Sequence, residues 1–330
     1  MKINCYLESD KAITLAVIRA LQSTVENLIK KYPEIQFNVV DSSIKKREEN
    51  LFSGSASKYG AYYLTIENPN TKKYILVSYG DKMVDLKDPS AWDLENCVEI
   101  FSSIGNHKND IEYREQTQVV STPISYTCST IESEIMLNEI YQNRIASKKE
   151  RIYPEKLSFR GNLYLFRRHL YYDKRFDVKG ELMGFDSAGQ VIRIEGSRIP
   201  LKEYIEELDS RALNLSLNGT GEICFRDIEI LGLGTALLRP KLVTKFHNKL
   251  IPDYHYISVD FSDIEQGPDG YEVYCNKLAE RLLKRFDEVK NDKDFINFIG
   301  NNGRKWYEEN GKIESNGKIA ANLIDITKII

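Results

Sequence analysis

No two of the five cysteines (Cys5, Cys97, Cys128, Cys224, Cys275) form a Cys-x-x-Cys pair, and their number is odd. This excludes the usual zinc ribbon and the disulfide framework of a small secreted domain, and it fits free thiols in a reducing compartment. No apolar run approaches membrane-spanning length. The opening MKINCYLESDKAITL lacks the charged start, apolar stretch and small cleavage residues of a secretory leader, so a cytoplasmic protein without a transmembrane segment is expected. Neither sign of charge dominates. The 46 Lys and Arg against 49 Asp and Glu leave a net charge of -3, which gives no overall attraction to nucleic acid or to an anionic membrane. No GxGxxG follows the first strand pattern and no phosphate-loop lysine follows Gly221, which sets dehydrogenases and P-loop enzymes aside. His247 and His255 lie among apolar residues without metal-ligand spacing, so no metal site is expected.

What is present reads as two α/β units. At 330 residues, two domains are the natural expectation. Lys2 to Leu7 alternates as a strand, and Ile18, Leu21, Val25 and Leu28 recur as a helical stripe. Ile35 to Val40 resumes a strand, so the chain opens βαβ, the mark of a parallel sheet covered by helices. The stretch AYYLTIENPNTKKYILVSYGD reads as a hairpin around Asn68-Pro69-Asn70, VVSTPISYTC as a strand and Glu132 to Lys149 as a helix. The basic SKKERIYPEK then reads as an interdomain linker. LSFRGNLY starts the second unit with a strand, Val273 to Val289 is a helix, and Asp294 to Asn310 is a helix interrupted near Gly300 to Gly303. The expected division is 1–150, 151–312, and a terminal 313–330 segment that packs back on the first domain.

The richest segment is Leu213 to Asp260. An alternating strand (Leu213, Leu215, Leu217) meets the turn Asn218-Gly219-Thr220-Gly221, and a helix carrying Glu222, Arg226 and Glu229 follows. Such a junction offers backbone N–H groups and the positive end of a helix dipole to an anion. Arg226, one turn in, adds a bidentate phosphate donor. The plain alternatives are a tight turn that needs glycine for its backbone and an ordinary Glu222–Arg226 pair on a solvated helix. Phe159-Arg160-Gly161 closes the first strand of the second unit, where open α/β sheets bind ligands, and is read as belonging to the same sheet. Phe159 and Phe225 are candidate platforms for a base. Cys224 reads as buried helix with no activating base nearby.

These residues carry a resemblance. FRGN (Phe159 to Asn162), then NGTGEICFRDIEILGLGTALL, then Asp253-Tyr254-His255-Tyr256-Ile257 resemble, in order, elements of the nucleotide-sugar-binding domain of GT-B-fold glycosyltransferases. More narrowly, they resemble the lipopolysaccharide-modifying family that includes protein O-glucosyltransferases and capsule-associated xylosyltransferases. The terminal RKWYEENG is similar to the closing helices of many GT-B enzymes. Asn162 departs from that family's serine, and Glu222 and Glu229 stand one residue closer than the paired glutamates of related retaining families, which favours inversion.

The resemblance implies a GT-B-like α/β fold: two Rossmann-like domains with parallel sheets facing a central cleft. It implies a hexosyl- or pentosyltransferase that moves a sugar from a nucleotide-diphosphate donor, a UDP-sugar, to a glycan, glycolipid or polysaccharide. Arg160, Gly161, Asn162, Gly219, Gly221, Glu222, Arg226 and Glu229 would hold the donor, with arginines and a helix dipole in place of a metal and no cofactor required. Arg226 would also serve catalysis, by offsetting charge on the leaving diphosphate. Asp81, after the strand YILVSYG, is the candidate base for the acceptor, with Asp10 and Asp41 in similar positions. Three alternatives stay open. One is a glycosyltransferase acting on nucleic acid through Lys45-Lys46-Arg47 or Arg167-Arg168 with Lys174-Arg175. The others are a non-catalytic nucleotide-sugar binder and a sugar-nucleotide epimerase.

Overall fold

The computed structural model describes residues 1–8, 16–42, 62–79, 96–103, 121–163, 166–185, 191–196, 198–218, 222–265 and 270–330. β1 (Lys2–Glu8), α1 (Ala16–Lys31) and β2 (Gln36–Ser42) form the expected βαβ opening, with β1 and β2 parallel from Lys2↔Gln36 to Glu8↔Ser42. Strand alternation buries Ile3, Cys5 and Leu7 against the face of α1 that carries Val17, Leu21, Val25 and Leu28. β3 (Tyr62–Glu67) and β4 (Tyr74–Tyr79) are the expected hairpin; Asn68 Oδ1 accepts the Asn70 N–H at 3.0 Å to shape its turn. β5 (Cys97–Ser102) and the short β6 (Ser121–Pro123) complete a six-stranded sheet ordered β2-β1-β3-β4-β5-β6. This sheet is not wholly parallel. β3 runs against both of its neighbours, because the hairpin inserts it between β1 and β4.

α2 (Ile131–Ser147) starts where Thr130 Oγ1 accepts the Ser133 N–H at 3.0 Å, and ends at Lys148 in a left-handed conformation. The basic stretch that follows is pinned: Arg151 donates to the carbonyls of Leu233 and Gly234, each at 2.6 Å, and to Asp209 at 2.7 Å.

The second half holds two small sheets rather than one. β7 (Ser158–Leu163), β8 (Asp177–Phe185) and β9 (Val191–Glu195) form the first, with α3 (Phe166–Tyr172) between β7 and β8 and with β9 antiparallel at its edge. After α4 (Leu201–Ser210) comes an all-parallel set: β10 (Leu213–Leu215), β11 (Ala236–Pro240) and β12 (Ile257–Val259), with α5 (Phe225–Leu233) connecting the first two. Every residue of α5 from Asp227 to Leu233 is buried. Each fully buried Ile or Leu there contributes about 1.5–3 kcal/mol, so the position of α5 is strongly fixed.

α6 (Tyr271–Val289) and α7 (Lys293–Trp306) follow. The interruption expected near Gly300 is absent. Gly300 instead lets α7 pass close to the end of α5, since a Cβ there would lie 2.6 Å from the Gly234 carbonyl oxygen. The irregularity comes later, as a π turn over Tyr307–Gly311. α8 (Ile313–Leu323) and a final turn (Ile326–Ile329) lie on the first half. Lys31 Nζ donates to the carbonyls of Ala321, Asn322 and Ile324, and the Asn68 amide donates to Ile329 O at 2.8 Å. One apolar core runs from β1 and α1 through Leu137 of α2 to Ile228, Leu231 and Leu237; a second fills the space beneath β7, β10, α6 and α7. Among the described residues, no helix is long and apolar enough to cross a membrane.

Candidate functional site

The amino end of α5 sets the site. Cys224 is the residue at which the helix is capped: its N–H donates to Asp227 Oδ2 at 2.7 Å, closing a reciprocal cap in which cysteine stands where serine or threonine is usual. The helix therefore starts at Phe225, and two expectations change. Glu222 precedes the helix instead of riding on it. Its carboxylate accepts from the N–H groups of Val243 and Thr244, the latter at 2.6 Å, and from the Thr244 hydroxyl, stapling the chain after β11. Cys224 lies outside the helix, with burial and then Asp227 pushing its thiol up, which suits a structural residue and not a nucleophile.

A cavity of about 730 Å³ opens beside this helix end. The end of β7 forms one wall with Arg160, Gly161 and Asn162; Arg226 and Glu229 of α5 form another, and Ser129 reaches in from the first half. The two sequence motifs belong to different sheets, yet they meet here. The Arg226 guanidinium lies 4.3 Å from the centre of the Phe159 ring, and Arg167 lies 5.2 Å from the same centre. Arg226 Nη2 occupies the space beside Gly161 that a Cβ would fill, so a side chain there would displace the guanidinium. Nε and Nη1 of Arg226 are buried and have no hydrogen-bond partner. Burial opposes its charge, but Tyr204, Cys224, Glu229 and Asp227 outweigh that and hold its pKa above the ordinary value. Buried donors left unbonded are costly and rare in a native fold.

Glu229 is also buried. Its carboxylate accepts from Ser129 Oγ at 2.9 Å and from the Tyr204 hydroxyl at 3.0 Å. Burial pushes the Glu229 carboxyl above the usual carboxylate range, partly offset by those two bonds and by Arg226. Arg160 borders the cavity with its guanidinium committed to Glu207, the Nε to Oε2 distance being 2.5 Å; Arg211 shares that carboxylate. Asn162 lines the cavity, and its backbone carbonyl accepts from Arg167 at 3.3 Å. Four arginines (160, 167, 198 and 226) face two glutamates (181 and 229) around the cavity, so the surplus charge is positive. Arg198, at the rim, is paired with Glu181 at 2.8 Å.

Asp81, Asp10, Gly219, Gly221 and Lys45-Lys46-Arg47 lie outside the described residues, and Asp41 is in β2. Of the second basic cluster, Arg168, Lys174 and Arg175 are exposed. Arg167 is buried, with Nη2 donating to Leu217 O at 2.7 Å, while Arg175 is paired with Asp173 and Glu280. Of the candidate platforms, Phe159 is covered by arginine, while Phe225 stacks on Tyr126 with centroids 5.4 Å apart and lines the cavity. His255 Nδ1 accepts the Ile251 N–H at 2.9 Å, and His247 is exposed. Asp292 caps α7, its Oδ1 accepting the Phe295 N–H at 2.9 Å. Among the described residues, no cluster of His, Cys, Asp and Glu could hold a metal ion.

Sequence reasoning missed Ser129, Tyr204, Arg198 and Arg239. The last left a signal, a lone charge inside the apolar run Ala236-Leu-Leu-Arg-Pro240, where a strand buried on both faces has no ordinary place for one.

No protein-family model matches the sequence, and no curated protein matches it. Among solved structures, the chain is similar to a sucrose-phosphate synthase from Thermosynechococcus elongatus, with 13% identity and a TM-score of 0.41, over 92% of this chain and 71% of that one. It is also similar to a glycosyltransferase from Rickettsia africae, with 10% identity and a TM-score of 0.37, over 96% of this chain and 82% of that one.

Proposed function

We propose that the cavity beside α5 binds the diphosphate of a nucleotide sugar, a UDP-sugar, and that the protein is a GT-B glycosyltransferase acting on a glycan, glycolipid or polysaccharide. The observation that carries this reading is Arg226, a half-buried guanidinium at the amino end of a helix with two of its nitrogens buried and unbonded, lining a cavity with surplus positive charge. A diphosphate in the cavity would meet the charge of Arg226, which lines it, and the helix dipole. As the sugar leaves, negative charge grows on the departing phosphate oxygen, and fixed donors that need no reorganisation stabilise it. Arginines and the helix end would do this without a metal.

Glu229, held by Ser129 and Tyr204, borders the same space and has lone pairs left for a ribose hydroxyl. In an inverting transfer, a carboxylate of the first half, with Asp81 as the candidate, would take the acceptor's proton while the acceptor oxygen attacks the anomeric carbon.

A thermal-shift series over nucleotides and nucleotide sugars tests the reading. UDP and UDP-sugars should raise the melting temperature, since a ligand at 100 times its Kd adds about 2.7 kcal/mol to native stability. Slow release of UDP from a UDP-sugar, lost in Arg226→Ala, would separate turnover from mere binding. A series in which no nucleotide changes the melting temperature would overturn the assignment.

A further inference from the structure

Arg239 is among the largest fully buried side chains of the described residues, with none of its surface exposed, and it stands on β11, behind the amino end of α5 and away from the cavity lining. Its fork gathers one short piece of chain from several directions. Nη2 donates to Asn218 Oδ1 at 3.0 Å and to the Glu222 carbonyl at 2.7 Å, the described residues on either side of 219–221. Nη1 is paired with Asp227 Oδ2 at 2.8 Å, and the same oxygen accepts the Cys224 N–H that caps α5. Nε closes the arrangement on the Pro240 carbonyl at 3.0 Å.

Such a hub is out of proportion to capping a nine-residue helix, for which one side chain suffices. A buried ion pair is also weak evidence for stability, since apolar residues of similar volume often serve as well. What this pair does is hold in register the end of β10, the start of α5 and the strand between which they pack. Asp227 follows Arg226 directly, so the direction in which Arg226 leaves the helix is set by the cap that Arg239 braces.

We propose that Arg239 is a positioning residue of the diphosphate site: it touches no ligand and fixes the cap through which Arg226 and the helix end face the cavity. This rests on the donor-site reading above. It predicts that Arg239 acts on anion affinity through Arg226 and not independently of it.

A double-mutant cycle on the full chain, read as UDP affinity by calorimetry with melting temperatures alongside, tests it. Arg239→Lys keeps the charge opposite Asp227 but loses the planar fork that spans Asn218 and Glu222. It should weaken UDP binding at least about tenfold in the unaltered background, the scale of effect that a misplaced contact group produces. In an Arg226→Ala background it should cost less than about threefold, because the contact it positions is already gone. Should Arg239→Lys fold poorly, Arg239→Met with Asp227→Asn removes both buried charges, keeps an acceptor for the Cys224 N–H, and enters the same cycle. An equal loss in both backgrounds, no loss in either, or failure of both variants to fold would overturn the positioning role. Absence of UDP binding by the unaltered protein would instead overturn the donor site itself.

Discussion

The two halves of the molecule bury polar groups in different ways. Among the described residues of the first 150, buried polar side chains are hydroxyls, one amide and two glutamates, and no arginine or lysine is buried. Those glutamates each face a lysine that reaches solvent: Glu99 with Lys328 at 2.7 Å, and Glu67 with Lys72 at 3.7 Å. In the second half, Arg167, Asp227, Glu229 and Arg239 are buried around the start of α5, together with the Nε and Nη1 atoms of Arg226, and Glu181, Asp209 and Arg304 are buried elsewhere. Desolvating charge is costly wherever it happens. The first half limits that cost to two carboxylates beside exposed lysines; the second half buries more charge, and Arg167, Glu181 and Glu229 of it line the cavity, where an anionic ligand would make use of the surplus.

Removing charges from each half should therefore have unequal effects. Arg239→Met leaves Asp227 buried without its partner and should cost about 3–5 kcal/mol in urea unfolding. Gly161→Ala forces a methyl against the Arg226 guanidinium. Overpacking of this kind costs about 1–3 kcal/mol, and UDP affinity measured by calorimetry should fall about tenfold with it.

Glu229 gives a smaller, pH-dependent effect. Its carboxyl pKa is raised in the fold, so the native state keeps a proton that the unfolded chain releases. Stability attributable to it is present below the ordinary carboxylate pKa and is lost as pH rises toward the raised value. Melting temperatures of Glu229→Gln and the unaltered protein between about pH 4 and 7 should show that decline flattened in the variant. Smallest of all, Glu99→Gln removes a partner from a half-exposed lysine and should cost less than about 1 kcal/mol. An Arg239→Met effect no larger than that of Glu99→Gln would erase the contrast between the halves.

The sequence made some of this legible and hid the rest for identifiable reasons. Periodicity located α1, α2 and α6 and the β3–β4 hairpin, because a helical stripe and a turn signal are local properties. It did not show that β3 runs against β1, or that β7 and β10 belong to separate sheets, because strand partners are chosen by long-range packing. The convergence of Phe159, Gly161 and Arg226 on one place could be anticipated from their strand-end and helix-start positions. Glu222 was misplaced because an unusual cysteine cap delays the helix by three residues, to Phe225. Ser129 and Tyr204, the partners of Glu229, come from distant elements, and no pattern around them marks the meeting.

The central claim is that the Arg226 charge is held at the cavity wall because an anionic diphosphate completes it. Calorimetric titration of UDP into the unaltered protein and Arg226→Met, with urea unfolding of both, tests it most directly. The account predicts about a hundredfold loss of UDP affinity, the worth of charge-assisted hydrogen bonds, together with native stability unchanged or raised as a costly buried charge is removed. Unchanged UDP affinity with a marked loss of stability would contradict it, and would make Arg226 a structural residue.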